Sequence, residues 1–565
     1  MSTGLASSGA VSLRPTAQDW AQRGLLFGGL AVLVLGLVLP MATLLQRALI
    51  NDQGAFVGMA NFAEYLGRPA LRSSLTHSLW MASVSTLIVV TLAFGAAWVI
   101  ARSRMPGREL FRAVLFLPLL TPSLLAAVSL IYWFGEQGVA RALLFGAPLH
   151  GAVGIVIASC FWALPFAFVI LSASFANADG RLYEAARMLG AGKLRVLWTV
   201  TLPSVRYGLV SAAAVVFTRV FTDFGIPKVV GGQYNVIATD IYKQVIGQQN
   251  FNLGAAIALL LLLPALLAFA AERWAARGQG AALTSQATVY VPPPDRQRDL
   301  LAGVFAVALS GAVLAVIGMA YYASFVTYWP YDLNFTLSHY SFEILPGSGW
   351  GAFVNTVLLS LGTALVGTPF VFLFAYLAEK GRGAQGARAL LRVLALMPLG
   401  IPGMALGLGY IFFFNAAANP LNGLYGSLTL MVLCTVVHAY SVPHITATAA
   451  VGQLDREFEA ANSSLGATFW RLLGRVTLPV CLPEVLDVAF YLFVFAMTTV
   501  SAVVFLYSPH TVLASIAVLN LDDSGEPAAA AAMACLIVTA CGAVRLLQYA
   551  VLRWLLPRTQ RWRQR

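Results

Sequence analysis

Residues 183–203 read YEAARMLGAGKLRVLWTVTLP, and residues 458–479 read FEAANSSLGATFWRLLGRVTLP. We name these stretches loop 1 and loop 2. Both are polar and contain glycine, whereas the chain around them is strongly apolar. Gly190 and Pro203 of loop 1 are thirteen positions apart, as are Gly466 and Pro479 of loop 2. This recurrence predicts a chain built from two related halves.

The composition of the chain is that of a membrane protein. Of 565 residues, 59% are hydrophobic and 10% are charged, whereas a soluble domain carries about 25% charged residues. Long apolar runs predict transmembrane helices, since about 20 helical residues cross the hydrocarbon core. The net charge of +12 does not indicate nucleic-acid binding, because the basic residues form no continuous stripe.

The fold class predicted is an all-α polytopic membrane protein with about twelve transmembrane helices, arranged as two parallel six-helix repeats. The first half contains runs at about 24–45, 79–101, 112–134, 151–174, 208–226 and 254–272. The second contains runs at about 300–323, 353–378, 390–414, 427–450, 485–507 and 529–552. Pro118 and Pro122 recur as Pro398 and Pro402, and we expect them to kink the third span of each half.

Basic residues orient the chain. With both termini inside the cell, nearly all Lys and Arg fall on inner segments, as is usual for inner-membrane proteins. The outer segments carry only Arg47, Arg68, Arg72, Arg141, Lys228 and Lys243. Both loops then lie on the cytoplasmic side.

The domain boundaries follow from the spans and from a Gly-, Ser- and Pro-rich seam. We predict a disordered cytoplasmic tail (1–23), a first membrane-spanning half (24–276), a flexible linker (277–299), a second half (300–556) and a basic tail (557–565).

Loop 1 is predicted to form a helix–turn–helix at the membrane surface. Glu184 begins a short helix that Gly190 ends, and Pro203 suits the first turn of the next span. Ala185 and Ala186 would allow another surface to approach closely. One copy fits equally well an amphipathic segment lying on lipid. Two copies on one side favour a docking surface for a two-fold partner.

The pattern E-A-A-x-x-x-G followed by L-P resembles the signature loop of the permeases of binding-protein-dependent ATP-binding cassette importers, which have the type I permease fold. The matching residues of loop 1 are Glu184, Ala185, Ala186, Gly190, Leu202 and Pro203. Counting back from Gly466 puts Ala460 at the glutamate position of loop 2 and Glu459 on an adjacent face. The other matches there are Ala461, Leu478 and Pro479.

The resemblance implies a permease without catalytic residues, whose loops seat in a cytoplasmic ATPase dimer and whose outer face meets a periplasmic binding protein. ATP would be bound by the partner, because the chain has no P-loop: in GAGK at 190–193, Arg187 and Leu194 occupy positions that require Gly and Ser or Thr. Residues 223–254 and 497–520 look like those of the fused permeases of the iron(III) and phosphonate import group, and most resemble those assigned to 2-aminoethylphosphonate. This resemblance implies 2-aminoethylphosphonate or a related phosphonate as substrate, with iron(III) as the alternative. The scattered cysteines and histidines predict no metal site.

Charged residues inside spans point to a substrate pathway, because they cost at least about 2.5 kcal/mol at a helix centre. Arg219 and Asp223 are spaced to share one helical face, either as a structural ion pair or as part of the pathway. Thr498, Thr499 and Ser501 occupy the matching span, where hydroxyls more often satisfy backbone carbonyls. The polar stretches 223–254 and 519–527 are predicted outer loops. An ion-coupled secondary transporter and an intramembrane enzyme remain alternatives from other classes.

Overall fold

A computed structural model describes residues 17–281, 288, 290–342, 349–381, 383–455 and 457–559. Nearly all regular structure in these residues is helical, which confirms the predicted fold class. Within the described ranges, eight helices are long and apolar enough to cross a membrane, and up to twelve spans result if each bent helix pair counts as one.

The helices of the first half run in chain order as follows. They are α1 (Ala17–Ala48), α2 (Ala60–Gly67), α3 (Pro69–Arg102), α4 (Arg108–Leu120), α5 (Ser123–Phe134), α6 (Ala152–Ala176), α7 (Gly180–Met188), α8 (Lys193–Phe221), α9 (Gly225–Val230), α10 (Ile237–Tyr242) and α11 (Phe251–Ala281).

The second half repeats this order, with a small hairpin after its first helix. Its elements are α12 (Arg296–Phe325), β1 (Val326–Tyr328), β2 (Asp332–Phe335), α13 (Trp350–Lys380), α14 (Gln385–Gly400), α15 (Gly403–Phe414), α16 (Leu428–Ala439), α17 (Ser441–Gly452), α18 (Glu457–Ser464), α19 (Phe469–Val480), α20 (Leu482–Thr498), α21 (Ala514–Asp523) and α22 (Pro527–Thr559). The two strands pair antiparallel.

The third predicted span of each half is broken rather than kinked. The chain turns by 103° between α4 and α5 and by 113° between α14 and α15. Pro122 and Pro402 lie at these breaks in extended conformation, since proline cannot continue the preceding helix. The second helix of each pair has 12 residues, or about 18 Å. This is short of the ~30 Å hydrocarbon core, so both are short helices buried within the bundle.

The two halves exchange their first helices. Helix α1 packs on α15 of the second half, where a Cβ on Gly409 would lie 2.6 Å from the Pro40 carbonyl oxygen. Reciprocally, α12 packs on α5. Ser129 Oγ donates to the Val316 carbonyl at 2.6 Å, and Trp133 Nε1 donates to the Ala315 carbonyl at 3.0 Å. The exchange interlocks the halves.

Several element ends differ from the prediction. Helix α1 begins at Ala17, within the predicted tail, whose residues 1–16 lie outside the described ranges. The predicted linker is partly helical, because α11 continues to Ala281 and α12 begins at Arg296. Helix α22 likewise extends into the basic tail, of which residues 560–565 are outside the description.

The fifth span of the second half was predicted at 485–507, but α20 ends at Thr498. It is also bent by 81° from α19. Pro483 accounts for the bend, since a proline removes a backbone hydrogen bond and clashes with the carbonyl four residues earlier. The corresponding position of α8 is Tyr207, and α8 is continuous.

Candidate functional site

Loop 1 forms the predicted short helix, ended by glycine. Helix α7 begins at Gly180, four residues before the predicted Glu184, because Asp179 caps it by accepting from the Arg181 backbone N–H at 3.0 Å. That hydrogen bond is the main reason why the pKa of the Asp179 carboxyl is lowered. Gly190 has φ 70°, the left-handed conformation that ends helices. The prediction that Gly190 ends this helix is confirmed.

The second segment of loop 1 is not a separate helix. It continues into the span as α8, with a π turn at Leu197–Thr201 directly before Leu202 and Pro203. Loop 2 repeats this turn at Leu473–Thr477, before Leu478 and Pro479. A widened turn suits the proline, whose ring crowds the preceding turn of an ordinary helix. Loop 1 is therefore joined to its membrane helix without a break, whereas the second segment of loop 2 ends at Val480 and meets α20 at a bend of 81°.

Helix α7 has a buried face and an exposed face. Tyr183 and Ala186 are buried, whereas Glu184 and Ala185 are exposed. Ala186 thus packs inside this chain rather than toward a partner, contrary to the prediction. Met188 and Leu189 at the tip are 90% and 86% exposed. Large apolar side chains this exposed on a polar loop are typical of a protein interface.

Within the described part of the chain, the Glu184 carboxylate forms no ion pair. Its charge lies beside the exposed apolar tip. The surface of loop 1 therefore offers one directed negative charge and an apolar contact.

Loop 2 has the same backbone but different side chains. Gly466 has φ 61°, and the Ala467 N–H donates to the Asn462 carbonyl at 3.0 Å, matching the Ala191 to Ala186 hydrogen bond at 2.9 Å in loop 1. Ala460 and Ala461 are exposed, and Leu465 is 81% exposed.

Glu459 was predicted to carry the partner contact of loop 2, but its carboxylate faces inward. The side chain is 17% exposed, and its Oε2 lies 3.6 Å from Nζ of Lys380, which is 4% exposed. In register, Glu459 occupies the position of the buried Tyr183 in loop 1. The exposed face of loop 2 therefore lacks the acidic side chain that loop 1 presents.

The predicted pair of Arg219 and Asp223 is not formed. Helix α8 ends at Phe221, so the two side chains do not share a helical face, and no ion pair joins them in the described coordinates. Asp223 instead accepts from the Ile226 backbone N–H at 2.9 Å and holds the outer segment.

Arg219 lies among aromatic side chains where the halves meet. Its guanidinium carbon is 4.6 Å from the Phe166 ring centroid, and it lies near the hydroxyl of Tyr491 of α20. The imidazole of His438 is nearby, 5.2 Å from the Phe495 ring, and its buried Nδ1 has no hydrogen-bond partner among the described residues. Sequence reasoning missed Tyr491, because a tyrosine in an apolar run carries no separate signal.

The three hydroxyl candidates differ in their surroundings. Thr498 Oγ1 donates to the Val494 carbonyl at 2.9 Å, the backbone role that such residues usually have. Thr499 and Ser501 lie beyond the end of α20, where the Thr499 carbonyl accepts from Ser515 at 2.6 Å. Ser501 Oγ packs against Gly403 at the start of α15.

The predicted outer loop 223–254 is largely short buried helix. Ile226, Val230, Ile237 and Ile241 of α9 and α10 are buried. At the predicted outer end of the molecule, Nζ of Lys228 lies 2.9 Å from Oδ1 of Asp523 at the end of α21. This ion pair joins the two halves.

Two matches to one family model define the class of this protein. The model for the binding-protein-dependent transport system inner membrane component matches residues 89–280 and again residues 372–557. The chain therefore belongs to this family, as a fusion of two permease domains. It is a transport protein rather than an enzyme. This family also differs from the two alternatives considered above, an ion-coupled secondary transporter and an intramembrane enzyme, and so excludes them.

Particular relatives share much of the chain. It is 27% identical to the ferric transport system permease protein FbpB of Actinobacillus pleuropneumoniae, over 85% of this chain and 71% of the relative. It is 26% identical to the probable ABC transporter permease protein y4fN of Sinorhizobium fredii, over 88% and 90%. The sulfate transport system permease protein CysW of Synechocystis is 29% identical, over 41% of this chain and 84% of the relative.

Proposed function

We propose that this chain forms the substrate pathway of an ATP-driven importer in a bacterial inner membrane, with both termini cytoplasmic. Loops 1 and 2 dock on a separate cytoplasmic ATPase dimer, and a periplasmic binding protein delivers the substrate. The observation that supports this most is that both loops expose an apolar tip, and that loop 1 continues directly into membrane helix α8 while loop 2 leads to α20 through one bend. Movement of the ATPase would thereby turn the helices as rigid bodies.

The coupling role is tested with Glu184→Lys in vesicles that contain the permease, its ATPase and its binding protein. We expect substrate transported per ATP hydrolysed to fall about tenfold or more, because a charge contact at the interface is reversed. Glu136→Lys is the matched control, since this exposed glutamate lies far from the loops on the predicted outer side. Coupled uptake unchanged by Glu184→Lys would contradict the proposal.

We further propose a small anionic substrate of the 2-aminoethylphosphonate class. Arg219 supports this, because the guanidinium lies at the junction of the halves with no carboxylate within ion-pair distance in the described residues, and guanidinium binds phosphonate-like oxyanions well. The relative named for sulfate transport also fits an anion. Asp223 no longer supports recognition of the amino group, since it caps the outer segment.

Iron(III) is the second candidate, favoured by relatives whose names specify ferric transport. Binding of 2-aminoethylphosphonate, phosphate and iron(III) to the cognate binding protein separates the candidates. For a phosphonate, Arg219→Gln should lower uptake about tenfold, with Arg219→Lys less affected. If the binding protein binds iron(III) but neither of the other two ligands, and uptake is insensitive to Arg219→Gln, iron(III) is favoured as the substrate.

A further inference from the structure

The end of the linker packs against the base of loop 1. The Gly180 N–H donates to the Thr288 carbonyl at 2.9 Å, and the Thr288 N–H donates to the Asp179 carboxylate at 3.3 Å. A Cβ on Gly180 would lie 3.0 Å from Cα of Tyr290 and 3.1 Å from the Thr288 oxygen. The first residue of α7 is therefore in close backbone contact with the linker.

An arginine packed beside two tyrosines joins three segments at this point. The guanidinium carbon of Arg102, at the end of α3, lies 4.4 Å from the Tyr183 ring and 4.6 Å from the Tyr290 ring. The two rings are 4.8 Å apart. Arg102 is 5% exposed. Its Nη1 donates to the Ala101 carbonyl at 3.3 Å, and its Nε and Nη2 have no hydrogen-bond partner among the described residues. The ring faces thus supply much of the stabilisation of this buried charge.

The linker also contacts the other end of loop 1. Asp295 Oδ2 lies 3.3 Å from Nζ of Lys193, the first residue of α8. Nearby, Arg104 Nε donates to the Pro292 carbonyl at 2.6 Å. Residues 288–295 therefore reach both segments of loop 1 and the end of α3.

Loop 2 is held at the equivalent places by different groups. Its inward position contains the ion pair of Glu459 with Lys380 of α13, instead of Tyr183 with Arg102. Its second segment begins near Phe469, whose N–H donates to Gln18 Oε1 at 3.0 Å. Gln18 lies at the start of α1, as Asp295 immediately precedes α12. Each loop is thus contacted by the chain that leads into the first helix of the opposite half.

We infer that residues 288–295 form a positioning strap for loop 1, in which Tyr290 and Arg102 fix the angle of α7 on the end of α3. The strap rests on the proposed coupling role of loop 1. It makes the linker part of the coupling apparatus rather than a tether. The two loops are then anchored unequally, loop 1 by cation–π contacts and loop 2 by an ion pair.

The test compares Tyr290→Ala with Tyr290→Phe in the full complex. We expect Tyr290→Ala to lower transport per ATP hydrolysed about three- to tenfold, because one face of the Arg102 site is lost. Tyr290→Phe keeps the ring and should retain coupling. In the Tyr290→Ala protein, cross-linking to the ATPase should fall when the chain also carries Glu184→Cys. It should stay unchanged when the chain carries Ala460→Cys instead. Normal coupling in Tyr290→Ala would overturn the strap.

Cutting the linker distinguishes a strap that positions loop 1 from a tether that only connects the two halves. A chain divided within residues 282–287 keeps residues 288–295 attached to the second half. Co-expressed pieces should therefore assemble and transport with a normal coupling ratio. Loss of coupling in assembled cut chains, with Tyr290→Ala normal, would mean that the linker acts only as a tether. Glu184→Lys distinguishes the two proposals: if it uncouples and Tyr290→Ala does not, only the strap fails.

Discussion

At the residue scale, the buried ion pair beneath loop 2 replaces a cation–π contact. Lys380 Nζ also donates to the Leu454 carbonyl at 2.7 Å, so the lysine holds both the helix and the turn before it. Removing one partner of a buried pair leaves an uncompensated charge, which typically costs about 3–5 kcal/mol.

Glu459→Gln should therefore lower the thermal unfolding temperature of the purified permease clearly more than Glu457→Gln does. Glu457 is the matched control, because it is exposed on the same helix. The measurement is the unfolding temperature in detergent, together with retention of the ATPase. Equal effects of the two substitutions would show that the Lys380 pair does not stabilise loop 2.

Residue-level prediction from sequence was reliable where backbone geometry demands one residue type. Gly190 and Gly466 were identified because both end helices with positive φ. An ion pair was one of two roles considered for Arg219 and Asp223, and it does not form, because the spacing argument assumed that α8 continues past Phe221. The inward position of Glu459 was missed since it depends on Lys380, 79 positions away in the sequence.

At the element scale, the short buried helices α5 and α15 could be located but not oriented from sequence. Apolar runs of twelve residues after Pro122 and Pro402 look like the second part of a span. Their turns of more than 100° depend on packing against the exchanged first helices, which no local pattern encodes. Amphipathicity was the available signal, since α4 and α14 each have a polar face and α5 does not.

The contact of α1 with α15 leads to a stability prediction. Gly409→Ala should lower the unfolding temperature, because the new Cβ would lie 2.6 Å from the Pro40 carbonyl and force the exchanged helix outward. Gly318→Ala in α12 is the control, since nothing lies within 4 Å of its Cβ. That change should be neutral or stabilise by up to about 1 kcal/mol. Similar destabilisation by both would argue against tight packing of α1 on α15.

At the scale of the whole molecule, the interlocked halves of the proposed importer would have to separate at the predicted outer end, here called the outer mouth, to admit substrate. The Lys228–Asp523 ion pair crosses that mouth at 2.9 Å, with side-chain exposures of 25% and 52%. An exposed pair contributes about 0.2–1 kcal/mol. An ion pair of this strength favours the closed arrangement of the outer mouth while leaving its opening reversible.

Asp523→Asn should therefore raise ATP hydrolysis without binding protein by about two- to fivefold, because the outward-open arrangement that accompanies ATPase closure becomes easier to reach. High salt should produce part of the same increase in the unaltered protein. Glu136→Gln is the matched control, since it breaks an outer ion pair with Arg141 that lies within the first half. Of these two ion pairs, Lys228–Asp523 joins one half to the other and Glu136–Arg141 does not. Equal stimulation by both substitutions would therefore show that loss of surface charge, and not opening of the outer mouth, increases ATP hydrolysis.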